Sequence, residues 1–280
     1  MRGQKMKAKQ LRPFIIGNWK MHGTQRALRR LDTLAAGLAK QNNKANNAKP
    51  RKVDIMICPP ATLLLSMAGQ LKAAQDAGQQ IMLGGQDCHA EASGAHTGDI
   101  SAPQLRDAGA KASLIGHSER RTDYNETNKQ VQAKAAAAHA AGLMAIICIG
   151  ETLKERRAKA TLPVIGKQLR ESVPQDKPKD NRLITAKNTV IAYEPVWAIG
   201  TGLTPTGEQI AAVHAHIRKA LIRRFGAEGE RIRILYGGSV KPSNAAQLLA
   251  IPHVNGALVG GASLQAGEFL KIIAAAREIG

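Results

Sequence analysis

The sequence is poor in aromatic residues: Phe, Tyr and Trp make up 3% of its 280 residues. A core of this chain must be filled by Ala, Ile, Leu and Val, and few rings remain for nucleic-acid bases to stack on. Cysteine is as scarce. Cys58, Cys88 and Cys148 are odd in number and far apart, with no CxxC and no Cys/His ligand spacing. That argues against a disulfide framework or a zinc site and fits a reducing, cytoplasmic compartment. No apolar run approaches the roughly 20 residues that span a bilayer, so no membrane partner is expected. Residues 1–12 are basic and lack the apolar segment of a secretory signal, and they are short and serine-poor for an organellar one. They are expected to form a solvated tail on a single domain over 13–280. Carboxylates are the remaining shortage, 21 against 40 Lys and Arg, for a net charge of +19. Nucleic-acid binding, attraction of a small anion and adaptation of the whole surface all fit that excess. The charge is scattered, with no recognition-helix, RRM or zinc-finger pattern, so no specific nucleic-acid partner is expected.

What the chain does have is 44% apolar residues, arranged as short continuous runs that alternate with helical patterns. The runs are Phe14–Gly17, Val53–Cys58, Ile81–Leu83, Ala112–Ile115, Met144–Ile149, Thr189–Tyr193, Ile232–Tyr236 and Gly256–Val259. Helices are expected over Ala27–Lys40, Ala61–Ala74, Ala102–Ala108, Asn125–Ala141, Leu153–Arg170, Gly207–Phe225, Asn244–Leu249 and Ala266–Glu278. Strands apolar on both faces and separated by helices imply a parallel sheet covered by helices. Eight such units favour a closed (β/α)8 barrel of the α/β class over an open sheet. The polar stretches Gln41–Lys52 and Ser172–Lys187 read as surface loops on the face away from the site.

In such a barrel, reactive groups stand at the carboxyl ends of the strands. The first run ends in Gly17-Asn18-Trp19-Lys20, an amide and an ammonium. The fourth ends in Gly116-His117-Ser118-Glu119-Arg120-Arg121. The sixth ends at Glu194, where Pro195 biases the backbone out of the helical region. Val196, Trp197 and a glycine-containing tip to Gly202 follow, the composition of an apolar lid. A carboxylate beneath such a loop is suited to act as a general base kept from water. The last two runs end in Tyr236-Gly237-Gly238-Ser239-Val240 and Gly260-Gly261-Ala262-Ser263, glycine-rich turns whose backbone N–H groups can hold a phosphate. Taken singly, each piece reads equally as an ordinary turn, a surface glutamate or a structural histidine; their shared position at one end of a barrel is the signal.

With these five motifs in this order, the chain resembles the triosephosphate isomerases from about Phe14 to about Glu278. The resemblance implies that Glu194 moves a proton between adjacent carbons of a phosphorylated triose, by way of an enediolate. It implies that His117, as a neutral imidazole, polarises the substrate oxygens. Lys20 supplies positive charge, Asn18 a hydrogen bond, and Glu119 orients Lys20. Gly200, Ser239, Gly260 and Gly261 bind the phosphate through backbone N–H groups, and neither metal nor organic cofactor is needed. The lid would also hold the enediol phosphate out of alignment for phosphate elimination. The stretch Gly94–Ser101 is similar to the family's protruding loop, in which the residue matching Thr97 enters a neighbouring subunit; a homodimer is implied, with a tetramer open. The implied role is in glycolysis and gluconeogenesis.

The chain departs from the family pattern at Leu203, Pro205, Gly207 and Asn255. Pro205, in the lid's trailing hinge, fixes its own φ and restrains Thr204. A hinge with fewer open states is expected, and relaxation-dispersion NMR should then find altered loop exchange in Pro205→Ala; identical exchange would remove the idea. Asn255 stands where Asp is frequent, a change expected to remove an ion pair on the outside of the barrel. Two other readings stay open: a phosphate-binding barrel acting on another sugar or indole phosphate, and a basic binding protein whose affinity would fall steeply with salt.

Overall fold

The computed structural model describes residues 11–44, 51–73, 81–175, 183–199 and 203–279. Eight strands, β1 (Phe14–Asn18), β2 (Asp54–Cys58), β3 (Ile81–Gly85), β4 (Ala112–Ile115), β5 (Met144–Ile149), β6 (Thr189–Tyr193), β7 (Arg233–Tyr236) and β8 (Gly256–Val259), pair in parallel. They follow chain order, and β8 pairs with β1 to close the barrel. Each expected strand is present, with ends displaced by no more than two residues. Alternate side chains divide the core in two. Phe14, Ile16, Met56, Leu114, Ile146, Cys148, Val190, Ala192 and Leu235 fill the interior of the barrel. Their neighbours Ile15, Ile55, Ile57, Ile147 and Ile191 pack outward beneath the helices. Both faces are dry, which is why the strands read as unbroken apolar runs.

The covering helices are α1 (Leu28–Lys44), α2 (Ala61–Ala73), α3 (Ala102–Asp107), α4 (Ser118–Asp123), α5 (Asn128–Ala140), α6 (Leu153–Arg157), α7 (Thr161–Ser172), α8 (Gly207–Arg231), α9 (Ala245–Leu249) and α10 (Ala266–Glu278). Helix α1 buries Leu31, Leu34 and Leu38, one stripe at helical spacing. The expected single helix Leu153–Arg170 is corrected to two. Pro163 tolerates only the first turn of a helix, because further in, its ring would strike the carbonyl four residues back. The chain therefore breaks at Ala158–Ala160, with Lys159 at φ +56°, and restarts. Helix α5 begins at Asn128 rather than Asn125: Thr127 caps it, its hydroxyl accepting from the Gln130 N–H while the Gln130 amide oxygen accepts from the Thr127 N–H at 2.8 Å. Helix α8 runs past Phe225 to Arg231, with a break at Gly226.

Of the expected tail, residues 1–10 lie outside the described residues. Leu11 and Arg12 are tied to the barrel: the Leu11 carbonyl accepts from Arg51 Nη2 at 2.6 Å, and Arg12 pairs with Asp54 at 2.9 Å. No helix among the described residues is long and apolar enough to cross a membrane. All three cysteines are free and buried, and burial raises their thiols, that of Cys88 to about 12.

Asn255 meets a buried guanidinium: Arg218 donates to Asn255 Oδ1 at 2.9 Å and to the Gly229 carbonyl. Burial lowers the Arg218 pKa to about 10. Asn255 Oδ1 also accepts from the Ile234 N–H at 3.0 Å, so its side chain completes the seam between β7 and β8.

His214 on α8 is fully buried, edge-on to Tyr193 with ring centroids 5.9 Å apart, and 3.2 Å from the His253 carbonyl through Nδ1. Burial lowers its pKa from 6.5 to about 4. Between those values the unfolded chain binds a proton that the folded chain refuses, so stability falls as pH falls. The contribution is complete above pH 6.5 and is lost towards pH 4, about 3 kcal/mol in all. Urea titrations at pH 7.5, 6 and 5 should show that loss in the wild type and a shallower slope in His214→Asn. Equal slopes would assign the acid sensitivity elsewhere.

Candidate active site

Glu194 follows β6 directly and is 1% exposed. Its backbone N–H donates to the Ile149 carbonyl at 2.8 Å, which fixes the point where the chain leaves the sheet. Two glycines make room for it. A Cβ on Gly150 would lie 1.7 Å from the Glu194 carbonyl oxygen, and one on Gly237 would lie 2.8 Å from Glu194 Cγ. Any larger residue at either place would move the carboxylate.

The carboxylate meets the end of β4. His117 Nε2 lies 2.9 Å from Glu194 Oε1, and the Ser118 N–H donates to Oε2 at 3.0 Å. His117 caps α4, its Nδ1 accepting from the Glu119 N–H at 3.3 Å. Nδ1 therefore offers its lone pair, and Nε2 carries the proton that faces Glu194. Burial pushes the ring towards neutrality, but the adjacent Glu194 carboxylate outweighs it, and the His117 pKa stands above its usual value. For Glu194, burial favours the neutral acid; contact with His117 and the Ser118 N–H prevail and hold its pKa low. The carboxylate is thus an anion ready to accept a proton.

Lys20 arrives from the loop after β1. Its Nζ lies 2.5 Å from Glu119 Oε1, and its backbone sits at φ +52°, a left-handed conformation unusual for a residue with a long side chain. Asn18 and Gln86 hold it there. The Lys20 N–H donates to Asn18 Oδ1 at 3.0 Å, and Gln86 Nε2 donates to both the Lys20 and Cys58 carbonyls at 2.8 Å. Asn18 itself is buried at the end of its strand.

Asn18, Lys20, His117 and Glu194 line one cavity of about 600 Å3, together with Ser239, Gly260 and Gly261. Gly260 precedes the turn Gly261–Leu264, and a Cβ on it would lie 3.7 Å from Lys20 Cε, so the glycine turn and the ammonium face one another. Opening turns leave backbone N–H groups unpaired, which suits this wall to an anion. Glu119 reaches the site through Lys20. Thr97 is not among the lining residues; it lies on an exposed stretch after β3. Gly200, expected in the phosphate cradle, lies outside the described residues.

Sequence reasoning passed over two participants, Gln86 and Glu151. Glu151, fully buried after β5, accepts from Trp197 Nε1 at 2.9 Å and from the Tyr193 hydroxyl at 3.2 Å, and its carbonyl accepts from the Val196 N–H at 3.2 Å. Arg156 stacks over Trp197 at 4.6 Å. The loop that follows Glu194 is therefore anchored by a second carboxylate. Both residues stand just after a strand, the position used to find the others.

The family model described as triosephosphate isomerase matches residues 13–276. The triosephosphate isomerase of Brucella abortus biovar 1 (strain 9-941) is 54% identical over 262 residues, covering 94% of this chain and 96% of the relative. That of Rhodopseudomonas palustris (strain BisA53) is 53% identical over 264 residues, covering 94% and 97%. The crystal structure of triosephosphate isomerase from Bartonella henselae superposes with a TM-score of 0.83 at 48% identity, covering 96% of this chain and 100% of that one.

Proposed function

The chain belongs to the triosephosphate isomerase family, aldose–ketose isomerases of triose phosphates, and we propose from that premise which of its groups carry the reaction. The substrate pair is D-glyceraldehyde 3-phosphate and dihydroxyacetone phosphate, as in glycolysis and gluconeogenesis. Glu194 removes the proton from the hydroxyl-bearing carbon beside the carbonyl and returns it to the former carbonyl carbon, while the hydroxyl proton passes to the former carbonyl oxygen. The electron pair left behind moves onto oxygen and forms an enediolate, which needs donors already aimed at it. His117 Nε2–H and Lys20 are those donors, Asn18 adds a hydrogen bond, and Glu119 orients Lys20. Backbone N–H groups at Gly200, Ser239, Gly260 and Gly261 hold the phosphate. The observation that carries this reading is the 2.9 Å approach of His117 Nε2 to Glu194 Oε1 in a cavity that also receives Lys20 and the glycine turn.

The raised pKa of His117 belongs to the arrangement in which it touches Glu194. A substrate seated between the two draws the carboxylate to its carbon. Burial and the Glu119 N–H donated into Nδ1 then keep the ring neutral. The loop from Pro195 closes over the phosphate, with Glu151 and Trp197 fixing its leading end and the buried Pro205 its trailing end.

The site is completed by a second copy of the chain in a homodimer, with a tetramer open, and residues 13–280 form one catalytic domain. Three observations support the dimer: the exposed Thr97 stretch, and Met21, 96% exposed, and Tyr124, 68% exposed. Met21 follows Lys20 directly, and Tyr124 ends the short helix α4 that His117 caps. A cytoplasmic location fits the three free thiols. The test of the chemistry is isotopic. In deuterium oxide, dihydroxyacetone phosphate should yield glyceraldehyde 3-phosphate carrying deuterium on carbon, because the proton passes through an exchanging carboxylate. Product without carbon-bound deuterium would contradict proton transfer through an exchanging carboxylate.

A further inference from the structure

Helices α7 and α8 leave a groove of about 540 Å3 between them, on the outside of the barrel and separate from the site above. Its lining is apolar in the middle, with Leu169 and Leu221 buried and Phe225 partly exposed. Its edge is cationic. Arg170 and Arg223 are exposed there, and neither forms an ion pair among the described residues. Arg224 forms a fixed wall, donating to the Leu169, Val173 and Pro174 carbonyls at 2.8–3.0 Å.

Gly166 keeps the groove open. Glycine inside a helix is less favourable than alanine, and α7 carries one at its centre. A Cβ there would lie 3.3 Å from His216 Nε2 and 3.7 Å from Arg170 Nη1, so a larger side chain would fill the space between the helices. The local field is positive as well: burial, then Arg223 and Lys219, lower the pKa of His216, and no carboxylate is among the groups that act on it. The volume lies within the usual range of small-molecule sites, about 300–1,000 Å3.

We propose that this groove binds a small amphipathic anion, its apolar body against Leu169, Leu221 and Phe225 and its carboxylate or sulfonate head between Arg170 and Arg223. Charge complementarity selects this occupant: an apolar floor edged by the exposed guanidinium groups of Arg170 and Arg223 suits a detergent-like or aryl acid better than a neutral apolar molecule.

The test uses the full chain with 8-anilinonaphthalene-1-sulfonate as probe and decanoate and decanol as competitors. One saturable site per chain is expected, displaced by decanoate and far less by decanol. Arg170→Glu with Arg223→Glu should weaken probe binding by at least about tenfold, since each lost charged contact is worth on the order of 1.5 kcal/mol or more. Gly166→Leu should weaken it by filling the groove, and isomerase kcat/KM should stay unchanged in both variants, showing that they fold. Unaltered binding in these variants would overturn the proposal. So would equal displacement by decanol, displacement by inorganic phosphate at the active site, or a bound probe that decanoate cannot displace, the result expected if the groove takes a protein segment. Isomerase activity is read separately, so failure of this proposal and failure of the catalytic reading are distinguishable.

Discussion

Lys20→Met should lower kcat/KM by at least about 10³-fold while leaving the protein folded. Removing one hydrogen-bond donor from a developing oxyanion typically costs about 10²–10³ in rate, and Lys20 supplies a full charge. It faces the glycine turn across the cavity, so the same charge acts on the substrate phosphate, and KM should rise as kcat falls. Loss of stability would not account for such a change. The partner lost is Glu119, whose side chain is 48% exposed, and pairs of that kind contribute about 1 kcal/mol or less. The Lys20 backbone is held by Asn18 and Gln86 whatever its side chain. Steady-state kinetics beside urea unfolding check both halves. Activity within a few-fold of wild type would remove Lys20 from the mechanism.

The strands were legible because their residues are buried on both faces. Thr189–Tyr193 is buried at every position, with no charged residue to blur its limits, and it is found at those residues. The helix break at Ala158–Ala160 was not read, although Pro163 marks it, because apolar residues recur on both sides of the break. The motif residues Asn18, Lys20, His117 and Glu194 could be named from their places after strands, and these four converge on one cavity. What could not be read was the support around them. Gln86 matters because the end of β3 lies beside the Lys20 backbone, and Glu151 because the end of β5 lies beneath Trp197. Those approaches exist only once the barrel has closed. The left-handed backbone of Lys20 and the contact between His117 and Glu194 are likewise products of the fold. The groove between α7 and α8 was invisible for a different reason: Gly166 reads as a weak point in a helix until His216 is seen opposite it.

The second large effect concerns Glu194. Asp at this position keeps the charge but withdraws the carboxylate by one carbon. Contacts on both of its oxygens, to His117 at 2.9 Å and to the Ser118 N–H at 3.0 Å, fix where the carboxylate stands. A displacement of about 1 Å can cost on the order of 10²-fold when a reaction depends on a positioned group. In the proposed mechanism substrate binding rests on the phosphate cradle and Lys20 rather than on this carboxylate, so the loss should appear in kcat and leave KM nearly constant.

The most direct measurement is therefore a coupled assay with glyceraldehyde 3-phosphate, run on the wild type and on Glu194→Asp. The wild type should convert the substrate, and the variant should do so about 10²-fold more slowly at a similar KM. Equal rates in the two proteins would place the base elsewhere, and no conversion by the wild type would contradict the isomerase assignment itself.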